Sequence, residues 1–179
     1  GPLGVAFNQD MLAAAGIATD PVTFGDSIGG DAASWEKFLD AGRAYVAASD
    51  NFYIDSLSSA FQAAINLLPH AFEDPDSGRP MEMSTNSEVK ALFQLFAQAA
   101  ADGVSAGIPI GHADWGAGFQ NRQWATVVTP AWMAGIIAEN ADGVPGWRIA
   151  STFPEGGGNW GGSFFAVPSA GPNAAWAVK

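Results

Sequence analysis

The sequence predicts one α/β domain in which a largely parallel sheet is flanked by helices. Three observations carry that expectation. Short β-prone apolar runs alternate with stretches whose apolar residues recur at helical spacing. The 179 residues suffice for one domain with a substantial core, and 48% hydrophobic content suits a globular chain. No internal repeat breaks the alternation.

In chain order, LGVAF at residues 3 to 7 reads as a short buried strand, and NQDMLAAAG at 8 to 16 as a helix that Gly16 ends. A polar, glycine-rich loop follows. Between Ser34 and Ser49, Trp35, Phe38, Leu39, Gly42, Tyr45 and Val46 recur at helical spacing, with Ser34 placed to cap and Glu36 in the first turn. NFYID at 51 to 55 is strand-like; Leu57, Phe61, Ala64, Ile65 and Leu68 then line one face of a helix that stops before Pro69. EDPDSGRP is a turn. Thr85 and Glu88 have capping-box spacing ahead of Val89, Leu92, Phe93, Phe96 and Ala100, which predicts a long helix up to Gly103. ADWGAGFQNR at 113 to 122 suggests a shorter helix weakened by Gly116 and Gly118. WATVVTP is a strand, PAWMAGIIAEN a helix opened by Pro130, WRIAST another strand and SFFAVP the last one. Pro172 and Asn173 then begin a short helix.

Composition narrows the function. Seven Lys and Arg against 18 Asp and Glu give a net charge of −11, so phosphate backbones and anionic lipid surfaces are repelled and nucleic acid is a poor partner. The absence of cysteine removes thiolate nucleophiles and Cys-based zinc sites. Phosphate-cradling loops, the nucleophile elbow and the zinc-protease motif are missing too, and no cofactor or metal is implied. Asp74, Asp76 and Gly78 resemble a calcium loop, but no glutamate closes it at Thr85, and a turn is the better reading. His70 reads as a solvated loop residue; His112, beside Asp114 and Trp115, is evenly balanced between loop and site.

Seven tryptophans are the salient chemistry. Trp35, Trp124, Trp147 and Trp176 sit on or at the start of predicted elements and are expected to be core or partly buried. Trp132 and Trp160 occupy element ends among small residues, where an indole can present its face beside free backbone donors. A pyranose ring suits that arrangement, since its C–H face packs on an aromatic plane while its hydroxyls need fixed partners. In GGGNWGGSFFAVP, glycines permit either a flexible loop whose Trp160 plugs the core, or close ligand approach to the indole.

The order of motifs resembles the sugar-binding proteins of bacterial ATP-driven importers, the family 1 solute-binding proteins that include maltose-binding protein. GPLGVAFNQDMLAAAGI is similar to the strand, Asn-x-Asp and helix entering that family's second lobe, and Ser-Trp-Glu at 34 to 36 to its Thr-Trp-Glu helix start. DWGAGFQNRQWATVVTPAWMAGI resembles the helix, strand and tryptophan turn lining the sugar cleft. WRIASTFPEGGGNWGGSFFAVPSAGPNAAW resembles the strand, glycine loop and strand heading back toward the first lobe. The PAWM turn and NWGGSF look most like actinobacterial members that carry cello- or xylo-oligosaccharides.

This resemblance implies a periplasmic-binding-protein-like type II fold. Residues 1–179 would form one C-terminal-lobe-like α/β lobe of a two-lobed clamp, truncated at both ends, with GPLG as native sequence. It implies a non-catalytic protein outside the cytoplasmic membrane, anchored at the cell surface or periplasmic, that binds oligosaccharide and delivers it to an ABC permease. By resemblance Trp132 stacks on a sugar ring, Trp115 lies where maltose-binding protein has a sugar-contacting tyrosine, and Asp55 accepts sugar hydroxyls, a role suited to a carboxylate. Trp160, Gly161 and Gly162 face the cleft, and Asn159 is added on spacing alone. Hinge strands near LGVAF and SFFAVP would be exposed edges open to self-association. Two other readings remain: a carbohydrate hydrolase using Asp55 and Asp114 beside tryptophan platforms, and a scaffold or adhesion domain whose aromatics are core and partner surface.

Overall fold

The computed structural model describes residues 1–82, 84–163, 166–168 and 170–177. Strand β1 (Leu3–Asn8) runs through the centre, with all six residues buried. It pairs with β3 (Trp124–Pro130) on one side and β4 (Trp147–Ala150) on the other, and β2 (Phe52–Ile54) extends the sheet beyond β3, giving the order β2-β3-β1-β4. β2, β3 and β4 share one direction and β1 opposes them, so the β2–β3 ladder is parallel while both ladders of β1 are antiparallel. The expected α/β architecture is present, but its sheet is mixed. Alternation predicts that helices separate strands; the sense of each strand depends on how those helices return the chain to the sheet. Between β1 and β2 three intervene: α1 (Gln9–Ala14), α2 (Pro21–Ser27) and α3 (Trp35–Ala48).

Local chemistry sets the helix starts. The buried Asn8 side chain caps α1 by accepting from the Asp10 and Met11 N–H groups, and Ser34 caps α3 as its spacing predicts. α2 falls inside the expected loop: Asp20 accepts from Val22 and Thr23 N–H, the Thr23 hydroxyl oxygen accepts from the Asp20 N–H, and Pro21 opens the first turn. α4 (Leu57–Ile65) begins at Ser56. α5 (Ser87–Ala101) is capped by Asn86 rather than by Thr85, whose hydroxyl donates to the Glu82 carbonyl instead. α6 (Trp115–Gln120) precedes β3; a 3-10 turn, Ala131–Met133, leads from β3 into α7 (Ala134–Ala141). A last short helix, α8, spans Ala174–Ala177.

Alternation along β1 and β3 divides the core between the two sheet faces. Val5, Phe7 and Val128 meet α1 to α5 through Leu12, Phe24, Phe38, Leu39 and Phe96. On the other face Ala6 and Val127 meet Trp115, Phe119 and Ile137.

Two expectations about surfaces change. LGVAF is an interior strand paired on both sides, so it offers no free edge for self-association; the edges belong to β2 and β4. The other expected hinge strand, SFFAVP, includes Phe164 and Phe165, which lie outside the described residues. Trp176, expected to be core or partly buried, is 74% exposed on the four-residue α8.

Candidate functional site

β2, β3 and β4 end on the same edge of the sheet, where Asp55, the Pro130–Met133 turn and the loop after Ala150 follow them. In open α/β sheets the crevice beyond the carboxyl ends of the strands is where ligands bind. β1 starts at this edge, and its first residues knit two of the predicted segments together. The Gly1 nitrogen donates to the Trp160 carbonyl at 2.7 Å, the Trp160 N–H returns a bond to the Gly1 carbonyl, Leu3 N–H donates to Gly158 and Ala131 N–H donates to Pro2. A side chain on Gly1 would stand 3.5 Å from Trp132 Cδ1, so the glycine loop and the tryptophan turn lie on either side of Gly1.

The two tryptophans differ. Trp132 is 62% exposed, its turn placed by the fully buried β3 that precedes it and by the buried Met133 that follows. Trp160 is half-buried and packs against the larger core. Asn159 turns back on its own loop, Nδ2 donating to Gly161 O at 3.0 Å. Gly161 and Gly162 adopt φ of +79° and +141°, conformations that favour glycine, and their N–H groups are unpartnered among the described residues.

Trp115 and Asp55 come together, but not as the sequence implied. Both are buried, Trp115 Nε1 donates to Asp55 Oδ2 at 2.8 Å, and Ser56 N–H donates to Oδ1 at 2.7 Å. Burial pushes the Asp55 carboxyl up to about 7, against the lowering effect of those two donors. Asp55 has no accessible surface, so the hydrolase reading loses one of its two carboxylates; Asp114 is exposed, its carboxylate 3.6 Å from His112 Nδ1. The loop histidines, His70 and His112, are both exposed.

Between Trp132 and the Ile110–Gly116 segment lies an open hollow of about 460 Å³, bordered also by Met133, Ile136 and Asn140. It is chiefly apolar, with hydrogen-bonding groups at the rim, a form suited to a ring with one apolar face. Gly116 keeps that wall close to α7: a Cβ there would stand 2.6 Å from Asn140 Oδ1. Sequence reasoning missed Ile136, which recurs four residues after Trp132 and is 40% exposed, a spacing that could have flagged it. A second hollow, about 380 Å³ between Ile65 and Pro80, lies beyond the far end of α4 and away from the strand ends. No group of three or more potential metal ligands occurs among the described residues.

No family model matches the sequence, and no curated protein does. Solved structures do. An extracellular solute-binding protein of family 1 superposes with a TM-score of 0.89 at 31% identity, over 99% of this chain and 44% of its own. This chain is similar over nearly its whole length to part of that family 1 extracellular solute-binding protein. An ABC-transporter-associated binding protein from B. animalis subsp. lactis, in complex with β-1,6-galactobiose, matches at a TM-score of 0.70 and 22% identity over 98% of this chain and 43% of its own. A solute-binding protein from Thermotoga lettingae bound to α-D-tagatose matches at 0.62 and 16% over 99% and 46%. These last two share the fold. The chain thus spans less than half the length of the family structures it matches.

Proposed function

We propose that this chain is one lobe of a two-lobed carbohydrate-binding protein that captures oligosaccharide outside the cytoplasmic membrane and passes it to an ABC permease. The observation that carries the reading is Trp132: a large indole, 62% exposed, at the carboxyl edge of the sheet and over an apolar hollow. An exposed indole that continues into an apolar hollow makes one contiguous apolar surface, the kind that marks ligand-binding grooves. The neighbours that are binding proteins for saccharides support the same reading.

In this reading a pyranose stacks on Trp132, Ile136 and the edge of Trp115 border it, and the free N–H groups of Gly161 and Gly162 meet hydroxyls. Trp160 holds the loop from below, and Asn159 fixes its turn. β-1,4-linked gluco- or xylo-oligosaccharides are the proposed ligands, on the strength of the PAWM and NWGGSF stretches. Trp132→Ala, made in the protein carrying both lobes, is expected to weaken cellotetraose or xylotetraose binding by about 1 to 3 kcal/mol through lost apolar contact, leaving the ligand-free melting temperature nearly unchanged. Calorimetric titration measures it. Unchanged affinity together with a large drop in melting temperature would make Trp132 a packing residue and remove the proposal.

A further inference from the structure

Asp55 is held in the interior although it borders the ligand edge, and its bonds reach one stretch of chain twice. Its main-chain oxygen accepts from Ile108 N–H at 2.9 Å, and its Oδ2 accepts from Trp115 Nε1 at 2.8 Å. The segment between those two donors, residues 108 to 115, supplies Ile110, Gly111, His112, Ala113 and Trp115 to the hollow opposite Trp132. Within it the internal bonds are few and short-range: His112 N–H to Pro109 O, Trp115 N–H to His112 O, and Asp114 N–H to His112 Nδ1. Half of it is exposed, and it contains glycine at 111 with φ of +88°.

We propose that Asp55 is a positioning residue: by gripping both ends of the 108–115 segment it fixes the wall that faces Trp132, and it does not itself touch the ligand. The proposal rests on reading the hollow as the saccharide surface. A buried carboxylate is well suited to such a clasp, since its bond to the indole N–H is shielded from competing water and an unpaired oxygen there would be costly. The Trp115 ring is in turn locked edge-to-face against Phe119, so orienting the indole orients the end of the wall.

The test uses two variants of the 179-residue chain. Asp55→Asn keeps the shape but sets an amide NH2 against one of the two donors, Ser56 N–H or Trp115 Nε1–H; Trp115→Phe removes the indole donor and leaves Asp55 in place. Hydrogen–deuterium exchange should speed tenfold or more at residues 108–115 in both, with α3 and β3 at wild-type rates. Cellotetraose titration followed by the Trp132 indole N–H resonance should show affinity falling at least fivefold in the same variants. Wild-type exchange across 108–115 in both variants would overturn the clasp, whatever the chain binds. Lost affinity in Asp55→Asn with unaltered exchange would instead make Asp55 a ligand contact. If the wild-type chain shifts no resonance with any saccharide, the reading of the hollow fails and takes the functional part of this inference with it, while the exchange result still decides the clasp.

Discussion

Asp55 shows how far one residue's environment can depart from what its type suggests. A carboxylate after a strand, at the ligand edge, reads as an acceptor for sugar hydroxyls; three-dimensional packing seals it beneath Trp115 instead. The consequence is a pH dependence opposite to that of ordinary carboxylates. Burial holds its pKa in the folded chain at about 7, whereas the unfolded chain releases the proton near the ordinary aspartate value of 3.8. Between those values the folded state binds more protons, so the stability this group contributes is fully present below about pH 3.8 and is lost as pH rises to about 7. The loss approaches about 4 kcal/mol. Asp20, Asp74 and Asp102, each held below the usual carboxylate range, act in the reverse direction and lose stability as pH falls. Thermal melts from pH 4 to 8 should therefore show a decline in wild type that is flatter in Asp55→Asn. Parallel curves for the two proteins would mean that Asp55 ionises in the fold as easily as in water.

At the scale of elements, the junctions matter more than the elements themselves. Asn8 caps α1 and donates Nδ2 to Pro145 O at 3.0 Å, so one side chain both starts a helix and holds the loop entering β4. Asn8→Ala should cost about 2 kcal/mol, roughly half from the cap and half from the cross-loop bond, and Asn8→Asp, which keeps the cap acceptor but turns a buried carboxylate oxygen toward the Pro145 carbonyl, should be at least as destabilising. Denaturant midpoints separate the two. Glycine acts at another junction: a Cβ on Gly118 would overlap the Trp124 ring, which is why the residue that weakens α6 as a helix is the one that lets α6 lie flat on β3. Periodicity made β1, α3, α4 and β3 legible, because each presents a buried stripe or run. α2 escaped because its cap, Asp20 with Thr23, sits in a glycine-rich stretch with only two fully buried large side chains, Phe24 and Ile28. For the site, Trp132 was legible from its place at a strand end. The Asp55–Trp115 bond was not, since it joins residues 60 apart and depends on the sense in which α6 crosses the sheet.

For the whole molecule the decisive quantity is how much of a bound sugar this chain can cover. Ligands in deep sites have about 70–90% of their surface buried. Here the hollow is open, Trp132 keeps 62% of its surface in water, and the N–H groups of Gly161 and Gly162 point from an exposed loop. A saccharide stacked on this surface would gain apolar contact on one face. Its opposite face and most hydroxyls would stay hydrated, and polar contacts bordered by water exchange one hydrogen bond for another at little net gain. The solved structures that this chain matches are more than twice its length. The 179-residue chain should therefore bind cello- or xylo-oligosaccharides with a Kd of about 1 mM or weaker, equivalent to about −4 kcal/mol, while self-association through β1 is closed off because both of its sides are already paired. Titration calorimetry with sedimentation on the same sample measures both properties. Micromolar binding by the monomer would show that this single lobe holds a complete pocket. Micromolar binding that appears only with dimer would show that a second copy supplies the missing cover through the β2 or β4 edge.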